Sequence, residues 1–229
     1  PLKLSGIFLS LIAKNRKEKR MKNIILSIIL AYLAGSLNFS ILLFKILGKE
    51  YPRGEFSGNP GVVNVYRQAG LPVAALVWLL DMGRSIGVAL VCINLLSTAL
   101  VPIGGLALIL GNRYPCFHQF SGGKGVANYL GFTTIIAPLA AGTSALAWLV
   151  TFALVRIPFV GSFVMVSMLG VGTLLVCHFD PRSVAAVLAT VGLIYYAHKR
   201  NVVEQILKRR GQKSVDNNKS AGIPPSHKH

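Results

Sequence analysis

Polar residues come in clusters along this chain, and long apolar runs separate the clusters. Residues 23–44, 85–112, 125–155 and 157–177 contain no Asp, Glu, Lys or Arg. About 20 apolar residues of helix span the hydrocarbon of a bilayer, so each run predicts at least one transmembrane helix. The first span is expected over 23–44, followed by a polar loop over 45–70, and the second over about 71–97. Pro102 restarts the chain for an apolar piece to residue 111, a loop follows over 112–124, and Pro138 divides the long run 125–155 in two. The last spans fall at about 157–177 and 183–197. Helices of about 12 residues do not cross alone as straight rods, so non-helical backbone is expected to enter the membrane where protein or a water-filled cavity shelters it. The fold class is therefore all-α: a polytopic transmembrane bundle of about seven helices, some short or broken.

Three regions are expected: an N-terminal extension over 1–20, a single transmembrane domain over 21–200 and a basic tail over 201–229. In the extension, the apolar stretch Leu4 to Ala13 is too short to span and is followed by Lys14, Arg16, Lys17, Lys19 and Arg20. It reads as an interfacial amphipathic segment or an upstream addition.

Composition supports the bilayer. The chain is 53% hydrophobic and only 14% charged, against about 25% charged in soluble domains, and its mean hydropathy is +0.58. The charge is one-sided, with 24 Lys plus Arg against 7 Asp plus Glu and a formal net charge of +17, which implies acidic partners. Counted over seven crossings, the turns after the first, third, fifth and seventh hold Lys45 to Arg67, Arg113 to Lys124, Arg156, and His198 to Lys213. The turns between them, at 98–101, 137–144 and 178–182, carry only Asp180 and Arg182. The positive-inside rule puts the basic turns in the cytoplasm and the N-terminus outside, with the basic run at 14–22 the one dissenting segment. Anionic lipid explains such charge better than nucleic acid, for which no recognition motif is present. Cys92, Cys116 and Cys177 are scattered, with no His or carboxylate at ligand spacing, so neither a disulfide frame nor a metal site is expected, and no cofactor motif is found.

Two loops carry candidate chemistry. Ser57, Gly58, Asn59, Pro60, Gly61, Val62, Val63, Asn64, Val65, Tyr66, Arg67 offers a hydroxyl, amides and a guanidinium beside unhindered backbone, suited to phosphate oxygens; an ordinary turn has the same composition. Ser121, Gly122, Gly123, Lys124, Gly125 sets one lysine among glycines, a nest whose N–H groups can converge on an anion at the start of a helix; the alternative is a flexible interfacial hairpin. It is not a Walker A loop, since His118 stands where the first Gly belongs and Gly125 where Ser or Thr follows Lys. Asp81 and Arg84, three apart, share a helix face inside a span and can pair. Gly83 to Gly87 formally matches a nucleophile elbow, but without a sheet the two glycines suit close helix packing instead. His198 and Asn201 share a face after the last span. No His-x4-Asp pair exists, so any transfer reaction has to use an activated substrate.

Taken together, these segments resemble the bacterial acyl-phosphate:glycerol-3-phosphate acyltransferases, and the resemblance covers most of the chain. Ala34 to Phe39 is similar to that family's first-span ending, Ser57 to Arg67 to its S-G-N-x-G-x-x-N-x-x-R loop, and Tyr114 to Gly125 to its F-P-x-F-x-x-F-x-G-G-K-G segment. Arg156 with Ser162, and His198 with Asn201, fill its third and last motifs. The resemblance implies a seven-helix integral membrane enzyme of the bacterial inner membrane with a cytoplasm-facing site, acting in phospholipid synthesis. It implies acyl transfer from acyl phosphate to the 1-hydroxyl of glycerol 3-phosphate, giving lysophosphatidic acid without a cofactor. By the same resemblance, Ser57, Arg67 and Lys124 are expected to hold phosphates together with Asn59 and Asn64. The nest of Gly122, Gly123 and Gly125 sits against the acyl phosphate, and Ser162, His198 and Asn201 position glycerol 3-phosphate, with Lys124, His198 and Asn201 the catalytic set. The sequence departs from the family at Phe56, Pro60, Val62, Val63, Asn112 and Phe159. These departures leave open a non-catalytic lipid-binding homologue, and a basic cavity among broken helices also suits a transporter or flippase of anionic metabolites or lipids, although no internal repeat is evident.

Overall fold

The computed structural model describes residues 2–48, 51 and 58–220, with side chains over 12–48, 51 and 58–210. The regular structure among the described residues is all helical, as the apolar runs predict: α1 (Leu2–Ser36), α2 (Phe39–Ile46), α3 (Val62–Leu95), a 3-10 turn at Thr98–Leu100, α4 (Val101–Arg113), α5 (Val126–Ile136), α6 (Pro138–Val155), α7 (Pro158–Val176), α8 (Pro181–Ala197) and α9 (Lys199–Ser220). Helices α3, α6 and α7 are long and apolar enough to cross a membrane; Ile12–Ser36 of α1 and Phe39–Ile46 of α2 reach that length only together, across a 43° bend that suits a broken span or a re-entrant loop. Thr98–Arg113, Val126–Ile136 and Pro181–Ala197 are the shorter apolar helices. At about 1.5 Å per residue, the 11 residues of α5 rise only about half the thickness of the hydrocarbon.

The boundaries differ from expectation in two places. Residues 1–20 do not separate from the first span, because α1 is continuous from Leu2 to Ser36; Lys, Arg and Glu are good helix formers, and Glu18 pairs with Lys22 one turn on, at 2.8 Å. The loop expected over 45–70 ends early. Helix α3 begins at Val62, and the only non-helical residue inside it is Gly70, at φ 80° and ψ 179°, a backbone position open to glycine. Pro72 lies just past this break, so it starts a new helical stretch rather than interrupting one. Asn64 and Arg67 therefore stand on a short helix, not on a flexible loop.

The first bend explains the segment Ala34 to Phe39. Gly35 crosses α4 so closely that a Cβ there would meet the Leu108 carbonyl, and Gly111 on α4 would likewise meet the Tyr32 carbonyl. Asn38 caps α2, its Oδ1 accepting from the Ile41 amide at 3.1 Å, and its Nδ2 donates to the Pro60 carbonyl at 3.4 Å. The Leu37 carbonyl, released by the break, accepts from Arg84 Nη1. Arg84 also pairs with Asp81 at 2.8 Å and donates to Asn128 Oδ1 in the first turn of α5. The Asp81 and Arg84 pair is thus a buried tie between α3, the α1–α2 bend and α5. Ser85 is buried beside it, its one hydroxyl proton lying between two acceptors, the Asp81 carbonyl at 2.7 Å and Asn128 Oδ1 at 3.0 Å, which leaves this serine no exposed nucleophile. Gly83 and Gly87 do not pack against a neighbouring helix, since nothing lies within 4 Å of a Cβ at either; the close approach on this side comes from Gly131 of α5, against the Met82 carbonyl and Ser85.

Candidate functional site

A cavity of about 480 Å³ opens between α3, α5, α6, α7 and the start of α9. Its polar lining comes from helix ends and loops: Asn59, Asn64 and Arg67 before and within the first turns of α3, Gly123 to Gly125 before α5, Ser162 at the start of α7, and His198 and Asn201 at the α8–α9 junction. Its apolar lining, including Trp78, Leu130, Ala145, Leu149 and Met165, comes from helix interiors. The structure therefore gathers residues from four separate sequence motifs around one space. Ser57 lies outside the described residues.

Lys124 lines the cavity, and its Nζ donates to Asn201 Oδ1. It lies outside the spans, yet burial lowers its pKa to about 8; Glu204 pulls it back up, and the guanidiniums of Arg113, Arg67 and Arg200 push it further down. Such crowded cations are held together at a cost that a bound anion relieves. His198 is buried, and its Nδ1 lies 2.8 Å from the Ile194 carbonyl. A carbonyl only accepts, so Nδ1 carries the proton and Nε2 keeps a lone pair. Burial, with Lys124 and Arg113 adding to it against the Ile194 hydrogen bond, lowers the His198 pKa to about 4. The ring is therefore neutral at ordinary pH.

The amides are built in firmly. Asn64 is buried, its Nδ2 donating to the Tyr51 hydroxyl at 3.2 Å, and that hydroxyl donates to the Asn59 carbonyl at 2.9 Å. Asn64 Oδ1 is buried without a partner among the described residues, on a side chain that lines the cavity. Ser162 donates to the Pro158 carbonyl at 3.1 Å and accepts from Trp148 Nε1 at 3.3 Å. Trp148 thereby joins the apolar lining to the polar lining.

Two of the glycine amides are not open to an anion. The Gly122 amide donates to the Arg113 carbonyl at 3.2 Å and the Gly123 amide to the Asn112 carbonyl at 2.9 Å. Both N–H groups are spent in closing the loop onto the end of α4. Gly122 does not line the cavity, and a Cβ there would run into the Asn112 carbonyl and Pro115. These glycines instead let the loop press against α4, which brings Lys124 inward. Gly125, at φ 84°, then turns the chain into α5, whose first residues Val126, Ala127 and Asn128 face the cavity with the positive end of the helix dipole.

Several lining residues carry no signal in the sequence pattern. Trp78, Trp148 and Asn128 sit inside apolar runs where a buried role is the default reading, and only packing brings them to the cavity. Asn112, one of the departures, is buried with its carbonyl bonded to Gly123, so it anchors the lysine loop as well as lining the site.

The family model described as glycerol-3-phosphate acyltransferase matches residues 25–208. A glycerol-3-phosphate acyltransferase from Pseudomonas aeruginosa is 37% identical over 179 residues, covering 76% of this chain and 91% of that relative. Another, from Methylobacillus flagellatus, is 44% identical over 131 residues, covering 56% of this chain and 66% of the relative. Among solved structures, the crystal structure of PlsY, an integral membrane glycerol 3-phosphate acyltransferase, in its glycerol 3-phosphate form, superposes with a TM-score of 0.75 at 31% identity, covering 81% of this chain and 93% of that one. Its lysophosphatidic acid form gives a TM-score of 0.72.

Proposed function

We propose that this chain, which belongs to the glycerol-3-phosphate acyltransferase family, transfers a fatty acyl group from acyl phosphate to the 1-hydroxyl of glycerol 3-phosphate at the cytoplasmic face of the bacterial inner membrane. The products are lysophosphatidic acid and inorganic phosphate. One juxtaposition carries it: Arg67, Lys124, His198 and Asn201 line one cavity together with further amides and Ser162, and the same cavity runs on between apolar side chains such as Trp78, Leu130, Ala145, Leu149 and Met165. That is the shape of a molecule with phosphate at one end and an acyl chain at the other.

The chemistry follows from the residues. An acyl phosphate is a mixed anhydride, so its phosphate leaves readily once its charge is stabilised. Lys124 and Arg67 hold the phosphates, and the start of α5 adds its dipole. Asn201, fixed on Lys124, and Ser162, fixed on Trp148, hold glycerol 3-phosphate with its 1-hydroxyl against the acyl carbonyl. The hydroxyl oxygen forms the new bond to the carbonyl carbon, the carbon–oxygen bond to phosphate breaks, and that phosphate takes the electron pair. The hydroxyl proton passes to the leaving phosphate. His198 Nε2 accepts a hydrogen bond from the attacking hydroxyl and orients it; with a pKa of about 4 it is too weak a base to keep the proton.

Purified protein supplied with palmitoyl phosphate and glycerol 3-phosphate is expected to form lysophosphatidic acid, and Lys124→Ala to form almost none. No product across acyl phosphates of several chain lengths would overturn the assignment.

A further inference from the structure

Helix α9 (Lys199–Ser220) starts in the site and leaves it. Asn201 in its first turn lines the cavity, whereas Val203, Ile206 and Leu207 are 54%, 46% and 60% exposed. At 100° per residue, these three apolar residues form one stripe on the side of α9 opposite Asn201. Lys199, Arg200 and Arg210 fall along the same stripe, with Arg209 beside it. An apolar stripe flanked by long cationic side chains is the signature of a helix lying in a bilayer interface, where the stems snorkel and the charges reach anionic headgroups. The position agrees, because α9 follows the apolar helix α8 after a single residue, His198, and so emerges where a span ends. The described part of α9 places one acidic residue, Glu204, near the stripe, and it is paired with Arg200 at 2.9 Å.

We propose that α9 is a membrane-surface helix that binds anionic lipid through Val203, Ile206, Leu207 and their neighbouring cations, and that this binding sets the position of Asn201 against Lys124. The occupant is the headgroup layer of the protein's own bilayer. Charge complementarity selects it over a protein groove, since Lys199, Arg200 and Arg210 lie along the stripe, Arg209 lies beside it, and the acidic residue on its other side is already paired with Arg200. Because one helix carries both faces, lipid that holds the outer face steadies the inner one. The second half of the proposal rests on the acyltransferase reading; the first half does not.

The test is hydrogen exchange of the full-length protein in nanodiscs holding one copy each, made of phosphatidylcholine alone or with 30% phosphatidylglycerol. Amides of 202–210 are expected to exchange more slowly in the anionic discs, and salt is expected to remove the difference. Each basic residue near an anionic surface contributes roughly a fivefold factor, so Arg209→Gln/Arg210→Gln is expected to lose about 25-fold of that protection. Val203→Ser/Leu207→Ser is expected to lose it in both lipids. Equal exchange in the two lipids would overturn the proposal, as would protection that appears only when two copies share a disc, which would assign the stripe to a protein contact. Turnover in the same discs reads the coupling. The anionic discs are expected to lower KM for glycerol 3-phosphate several-fold in the native protein and not in Arg209→Gln/Arg210→Gln. Lipid-dependent exchange with unchanged KM would leave the surface helix standing and overturn the coupling. Absence of turnover in every disc, with lipid-dependent exchange intact, would instead count against the acyltransferase reading.

Discussion

Lys124 and Asn201, 77 residues apart in the chain, are joined by a hydrogen bond from the lysine ammonium to the asparagine carbonyl oxygen. The bond fixes the lysine loop before α5 to the first turn of α9, two segments that lie on opposite sides of four helices in the sequence. Removing either partner is expected to do different damage. Lys124→Ala deletes the cation and is expected to lower kcat by about 10²–10³. Asn201→Ala leaves the cation but frees it, and is expected to raise KM for glycerol 3-phosphate more than it lowers kcat. Steady-state kinetics with palmitoyl phosphate separates the two.

Lys124 and His198 set the pH response. The Lys124 ammonium is lost as pH rises through about 8, so kcat/KM is expected to fall above that value, and His198→Gln is expected to leave the profile near 6.5 unchanged because His198 stays neutral down to about 4. Stability runs the other way. Between about 8 and the ordinary lysine value of 10.5 the unfolded chain holds a proton that the folded one does not, so this group makes the fold more stable as pH rises through that window. His198 is likewise depressed from 6.5 to about 4, so its contribution is complete above 6.5 and is lost as pH falls towards 4. Thermal unfolding across pH, with Lys124→Met and His198→Gln each flattening its own window, checks both signs.

Arg84 binds Asp81, Asn128 and the Leu37 carbonyl at once. Arg84→Ala leaves a buried carboxylate and a released carbonyl unpaired, and is expected to destabilise the protein by about 3–5 kcal/mol. Arg84→Ala combined with Asp81→Ala is expected to be milder than Arg84→Ala alone. Detergent-solubilised protein, unfolded by heat, gives the ranking; equal losses would mean that the pair is not a tie.

Gly111→Ala is expected to cost about 1–3 kcal/mol, since the added methyl meets the Tyr32 carbonyl across the α1–α4 crossing. Gly87→Ala has open space around it and is expected to be neutral or to stabilise α3 by about 0.5–1 kcal/mol. Comparing their melting temperatures tests which glycines hold helices together.

That contrast also shows where sequence reading stops. Spacing marks Gly83 and Gly87 as a packing pair, but spacing does not say which face of a helix is covered, and their side of α3 is open. The long helices α3, α6 and α7 are legible because a helix needs about 20 apolar residues to cross the hydrocarbon. The early start of α3 was hidden by Asn59, Pro60 and Gly61, which read as loop, and by Gly70 and Pro72, which read as terminators. Lys124, Arg67, Asn201 and His198 stood out as cations and amides beside apolar spans. Trp78, Trp148 and Asn128 did not, because nothing local separates a side chain that faces a cavity from one that faces a neighbouring helix. The Gly122 and Gly123 amides are hidden for a related reason: composition shows that N–H groups are unhindered, not that the end of α4 takes them.

The sequence distance between Lys124 and Asn201 also bears on the birth of the protein. A ribosome that has made everything through α7 has already produced Lys124, Arg67 and Ser162, but neither His198 nor Asn201. The polar end of the cavity stays unfinished until α8 and the start of α9 have been made, so a chain that stops after α7 lacks two of the side chains that line it.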